Sequence, residues 1–183
     1  MTFPVILDAN VLYPATLRNL LLTLTETGLV RARWTSRILD EVFRNIRVNL
    51  PDLPADRLDR TRALMETAIR DCLVTGHEQL ETVISLPDPD DRHVVAAAIR
   101  SHASVIVTLN LKDFPEESLA PWGIEARHPD DFLIDQFHLD PIGVHKVVQR
   151  ITDEARNPAK TVDDVLDTLE RTGMVSFAAL MRR

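Results

Sequence analysis

A chain of 183 residues has room for one ordinary domain with a real core and a small appendage, and too little for two full domains. With 45% hydrophobic and 27% charged residues it reads as a soluble globular protein, and no run approaches the roughly 20 apolar residues of a membrane helix. The net charge of −7 argues against whole-surface attraction to nucleic acid, though not against a local basic groove.

The first residues lack a basic stretch followed by an apolar one, so a cytoplasmic location is expected. The apolar run Phe3 to Leu7 predicts a buried strand that delivers Asp8 to its carboxyl end, ahead of Ala9-Asn10-Val11-Leu12. Open α/β sheets place ligand sites at such strand ends. Leu17, Leu20, Leu21 and Leu24 then recur at helical spacing, with Gly28 as the stop. Arg31, Arg33, Arg37, Arg44 and Arg47 concentrate positive charge in the next stretch, either as a groove or as solvated helix faces. Thr35 or Ser36 caps a second helix with Ile38, Leu39, Val42, Phe43 and Ile46 on its apolar face and Glu41 beside that stripe.

After Pro51 and Pro54, the spacing predicts a helix over 55–71 through Leu58, Ala63, Leu64, Ala68 and Ile69. Cys72-Leu73-Val74 is a short strand candidate, and Cys72, the single cysteine, can form no internal disulfide or cysteine-based zinc site. The stretch 77–86 fits no one pattern. Asp88-Pro89-Asp90-Asp91 forms a loop from which Asp91 caps or opens a helix through Val94 to Ile99. The strand Val105 to Val107 runs into Thr108-Leu109-Asn110-Leu111-Lys112-Asp113, and Ile124 to Ala126 is a last, edge strand. This alternation of strands and helices predicts an α/β sheet with parallel crossovers. From Asp130 on, only helical spacing is seen, which predicts a small appendage of three short helices. Thr161 and Asp164 form a shortened capping box there, and Gly173 ends the last helix.

Asp8, the Asp88–Asp91 cluster and the Asn110–Asp113 segment are separated acidic points, two of them at strand ends. They predict a carboxylate pocket for a hard divalent cation, Mg2+ or Mn2+, since the six histidines are scattered. Such ions activate water and stabilise the oxygens of a phosphodiester displacement. For single residues the alternatives stay open: Asp91 as a helix cap, Glu41 as an exposed helix charge, and Arg92 and His93 in packing or in phosphate contact.

Ile6 to Leu12, Ile38 to Val42, Asp88 to Ala98 and Val105 to Phe114 together resemble the motifs of PIN-domain proteins in order and approximate spacing, over Met1 to Arg127. Single-domain bacterial members are most often VapC-type toxins, and the helical tail resembles the C-terminal extension of one branch. The resemblance implies a PIN-like α/β/α sandwich with a central parallel sheet at 1–127 and a helical C-terminal extension at 128–183. It also implies Mg2+- or Mn2+-dependent cleavage of RNA and inhibition by a cognate antitoxin; separately, a homodimer is expected, as one of the ways to bury the tail's apolar stripes.

Residue by residue, Asp8, Glu41 and Asp91 match the family's metal-binding acids. Asn10 and Thr108 match supporting polar positions, and Asp88 a frequent acidic one. Asn110 stands where many relatives carry Asp, which leaves Asp113 as the nearest carboxylate for a fourth catalytic position. RNA is expected to approach over Arg31, Arg33, Arg44 and Arg47, because an acidic protein needs a basic path to a polyanion. Two other functions remain. A haloacid-dehalogenase-like phosphatase would need a second Asp at position 10, where Asn10 stands; a catalytically silent PIN domain would only bind RNA or protein.

Overall fold

The computed structural model of the protein describes residues 3–69 and 71–183. Met1 and Thr2, at the start of the expected nuclease domain, and Arg70, inside the expected helix 55–71, lie outside the described residues. The first strand, β1 (Pro4–Leu7), is central, and Val5, Ile6 and Leu7 are buried. A single helical turn, α1 (Ala9–Leu12), follows directly, and Pro14 separates it from α2 (Ala15–Glu26). Leu17, Leu20, Leu21 and Leu24 form the fully buried stripe of α2. Gly28, at φ +80°, turns the chain into β2 (Arg31–Arg33), a left-handed conformation that a side chain would strain.

The second strand is therefore Arg31–Arg33 and not Cys72–Val74. Trp34 N–H donates to the Cys72 carbonyl at 3.0 Å and Val74 N–H to the Trp34 carbonyl at 2.8 Å, so that segment makes one parallel bridge and no ladder. Helix α3 (Ser36–Asn49) starts as expected, with Thr35 Oγ1 accepting Ile38 N–H at 3.1 Å. Helix α4 (Ala55–Ala68) ends before 71 because Ile69 is extended. Its buried side is Leu58 and Met65, seven residues apart, which leaves the expected core residue Leu64 exposed.

Short 3-10 turns at Glu78–Val83 and Pro89–Asp91 lead into α5 (Arg92–Ser101), where His93 to Ala98 are all buried. Then come β3 (Val105–Val107), a 3-10 turn at Leu111–Asp113, the short α6 (Glu116–Leu119) and β4 (Glu125–Arg127). The sheet order is β2-β1-β3-β4, parallel throughout. Helix α2 lies against β2, and α5 against β1 and β3. The crossover from β1 to β2 and the one from β2 back over β1 to β3 run in opposite directions along the sheet, and right-handed connections then put α2 and α5 on opposite faces, which makes the α/β/α sandwich.

The tail has four helices, not three: α7 (Pro129–Leu139), α8 (Pro141–Glu154), α9 (Val162–Arg171) and α10 (Val175–Met181). The fourth is easily missed because its apolar face is only Phe177, Ala178 and Met181. Val144, Val147, Val148 and Ile151 of α8 are buried, and α8 packs on α2, so the tail shares one core with the sheet. The buried Asp130 carboxylate ties α7 to α10 by accepting Ser176 N–H at 3.0 Å and Phe177 N–H at 2.8 Å. Among the described residues, no helix is long and apolar enough to cross a membrane.

Candidate metal centre

β1 and β3 are neighbours from which the crossovers diverge, so their carboxyl ends form the crevice where such sheets bind ligands. Asp8 stands at one of these ends, almost fully buried. Its Oδ1 accepts the Ala9 N–H that opens α1, at 2.7 Å, and its Oδ2 accepts from Asn10 Nδ2 at 2.7 Å and Thr108 Oγ1 at 2.8 Å. Asn10 bridges the two strand ends: its Nδ2 also donates to Thr108 Oγ1 at 2.9 Å, and its Oδ1 accepts Leu109 N–H at 3.0 Å. Burial pushes the Asp8 carboxyl above the usual range, and the bonds from Thr108 and Ala9 pull it down. The charge on Glu41 raises it again, and His93 opposes that.

The loop before α5 brings in the next acids. Asp88 is exposed and spends its carboxylate on the turn, accepting Asp90 N–H at 2.9 Å. Asp91, at the head of α5, makes no side-chain cap bond, so its carboxylate is not used to start the helix. Its carboxyl is pushed up to about 6, by burial first and then by the charges of Asp8, Asp113 and Asp88. These couplings bring Asp8, Asp91 and Asp113 into one electrostatic neighbourhood. Asn110 Nδ2 donates to Asp113 Oδ2, so the amide orients this acid. Glu41, half-buried on α3, has Oε1 3.1 Å from Nε2 of the fully buried His93 and 3.7 Å from Arg37 Nε.

Among the described residues, none of Asp8, Asp88, Asp91 and Asp113 pairs with a Lys or Arg. No three His, Cys, Asp or Glu side chains among them stand close enough to enclose an ion unaided. An all-oxygen donor set with unbalanced negative charge fits a hard divalent cation that keeps several waters. It does not fit a zinc-type cage.

Profiles of two families match in sequence: the PIN domain over residues 4–112 and the VapC50 C-terminal domain over residues 129–183. The chain belongs to the PIN-domain family. It is 46% identical over 93 residues to a protein of Mycobacterium tuberculosis (strain ATCC 25618 / H37Rv) named as a candidate ribonuclease, VapC50. That match covers 51% of this chain and 54% of the relative, so it spans about half the length of the curated protein. No solved structure gives a significant match. The resemblance to a VapC-type PIN protein with a C-terminal extension is thereby borne out.

In this PIN domain the four arginines expected on the RNA path lie on two elements, Arg31 and Arg33 on β2 and Arg44 and Arg47 on α3. Arg44 is exposed one turn beyond Glu41 on α3, and Arg37 lies one turn before it. Arg47 turns toward α4, where it pairs with Asp59 at 2.7 Å. Arg31 and Arg33 sit on the edge strand β2, Arg31 exposed and Arg33 half-buried with Nε unpartnered. Burial lowers the Arg33 pKa, with the charge of Arg31 adding to the effect. Sequence reasoning passed over Arg37 at Glu41 and left His93 undecided. The usable signal is His93 directly ahead of the apolar run Val94 to Ile99, two residues after Asp91.

Proposed function

We propose that this chain is a VapC-type, Mg2+- or Mn2+-dependent endoribonuclease, cytoplasmic, homodimeric and held inactive by a cognate antitoxin. One observation carries the metal and the site. The charges of Asp8 and Asp113 fall on Asp91 at the sheet's switch point, and among the described residues none of these three acids pairs with a Lys or Arg. Evolutionary kinship supports the nuclease chemistry, through the PIN-family match and a relative named as a ribonuclease.

In this assignment Asp8, Glu41 and Asp91 hold the ion, with Asp113 at the rim. Asn10 and Thr108 fix the Asp8 carboxylate, Asn110 fixes Asp113, and Asp88 shapes the loop that presents Asp91. A bound divalent ion supplies an activated water and charge stabilisation for phosphodiester hydrolysis. The protein's own part is to keep these carboxylates preoriented until the ion arrives, with Asp8, Asp91 and Asp113 left without a Lys or Arg partner among the described residues. Asn10 argues against a dehalogenase-type phosphatase, because an amide locked as a donor between Asp8 and Thr108 cannot serve as that family's second acid.

The test is cleavage of a mixed RNA substrate with Mn2+ and with chelator, for the parent and for Asp8→Asn. Mn2+-dependent cleavage by the parent and none by the variant is the expected result. Phosphate release from small monoesters without RNA cleavage would favour the phosphatase instead. RNA binding without cleavage would favour a silent domain.

A further inference from the structure

We infer that His93 is a positioning residue, whose imidazole holds Glu41 of α3 toward the carboxylates at the ends of β1 and α5. The inference rests on the metal-centre assignment above and adds a residue to it.

His93 lies on the second residue of α5, right after Asp91, and is fully buried. Its Nε2 is 3.1 Å from Glu41 Oε1, close enough for an ionic contact although too bent for a straight hydrogen bond. Among the described residues, Nδ1 has no hydrogen-bond partner. A buried imidazole with one nitrogen unpartnered is costly unless the other nitrogen has a specific task. Packing alone would be served better by an apolar residue, as at the neighbouring Val94, Val95 and Ala96.

Glu41 needs such a holder. It reaches the site from α3, a separate helix, with the other acids at a strand end and the head of α5. Arg37, 3.7 Å away, is exposed and shared with Glu81 at 3.4 Å and the Asp90 carbonyl at 3.2 Å, so its hold on Glu41 is weak. His93 also acts electrostatically on both Asp8 and Asp91, so it stands among the three acids. Groups that orient ligands from behind in this way are worth about 10- to 100-fold in metal affinity when removed.

The experiment titrates full-length protein with Mn2+ and follows free Mn2+ by electron paramagnetic resonance, alongside RNA cleavage and thermal unfolding. Glutamine can put an amide nitrogen near the place of Nε2, whereas asparagine falls short of it. His93→Gln should therefore keep near-parental Mn2+ affinity, and His93→Asn should lose about 10-fold or more, with both folded. In a Glu41→Gln background, the step from His to Asn at 93 should cost little further, because both changes remove one interaction. Equal affinity of His93→Asn and parent would overturn the inference, and so would an undiminished loss in the Glu41→Gln background. A parent that binds no Mn2+ would instead overturn the metal-centre assignment itself.

Discussion

Thr108 Oγ1, at the end of β3, donates to Asp8 Oδ2, at the end of β1, across 2.8 Å. The same oxygen accepts from Asn10 Nδ2 at 2.9 Å and from Asn110 N–H at 3.1 Å, so the hydroxyl's one donor and two acceptor sites are all used. The buried Thr108 hydroxyl thus joins Asn10 in tying together a site built across two separate strands.

Replacing Thr108 by Val keeps the shape and removes all three bonds. We expect unfolding free energy to fall by about 1–3 kcal/mol, because Asn10 and Asn110 lose a buried acceptor, and Mn2+ binding to weaken because Asp8 loses its orientation. Thr108→Ser should restore most of both. Urea unfolding with parallel Mn2+ titration measures them, and a Val variant as stable as the parent would show the hydroxyl to be idle.

Asp91 makes metal-free stability depend on pH with a definite sign. Its carboxyl is raised from 3.8 to about 6 in the folded protein, so below about 4 both states hold the proton and no penalty exists. As pH rises toward 6 the unfolded chain gives up its proton first, and stability falls; above that the loss is constant. The group is only partly buried, so solvent screening limits the effect. Melting curves in chelator from pH 4 to 8 should show a decline that Asp91→Asn reduces, the raised Asp8 carboxyl supplying the rest. Mg2+ at pH 7 should stabilise the parent more than this variant, and equal pH slopes for the two proteins would contradict the coupling.

Part of this site was legible in the amino-acid order, for reasons that separate readable from unreadable positions. Asp8, Asp91 and Thr108 adjoin long apolar runs, and such runs reveal strands and buried helices through periodicity alone. β2 was hidden because an edge strand of Arg-Ala-Arg buries only Ala32 and carries no apolar pattern. Cys72 to Val74 looked more strand-like and made a single bridge, since pairing depends on what lies alongside in space. Leu64 and Met65 are adjacent in sequence, and which of them turns inward is set by how α4 rolls on its neighbours. The contact of Glu41 with His93 spans separate helices, so no local spacing encodes it.

The arginines of α3 should differ in their effect on RNA. Arg44, exposed beside Glu41, is expected to meet backbone phosphate, whereas Arg47 already faces Asp59. Arg44→Glu should weaken RNA binding and flatten the slope of log K against log salt by about 0.7 per lost contact, the single-strand value. Arg47→Glu should leave that slope nearly unchanged. Fluorescence anisotropy with a labelled RNA between low and moderate salt, using Asp8→Asn to prevent cleavage, separates the two. Equal slopes for both variants would return Arg44 to the solvated surface.

The tail should behave as part of the core, because the apolar stripe of α8 lies on α2, the helix that packs on β2. Truncation after Arg127 would uncover the face of α2 that α8 covers, and we expect poor solubility. A finer test is Asp130→Ala. The Asp130 carboxylate is the acceptor for two backbone N–H groups at the start of α10, which has no side-chain cap of its own. Removing it leaves both donors without an acceptor at a helix start, and losses of this kind cost about 0.5–2 kcal/mol. The melting temperature should therefore drop, with Mn2+ affinity preserved, since Asp130 lies in the tail and the proposed metal acids lie at the sheet. Hydrogen exchange would place the loosening in α10 and α7. A variant that kept its stability but lost Mn2+ would mean that the extension reaches into the catalytic site.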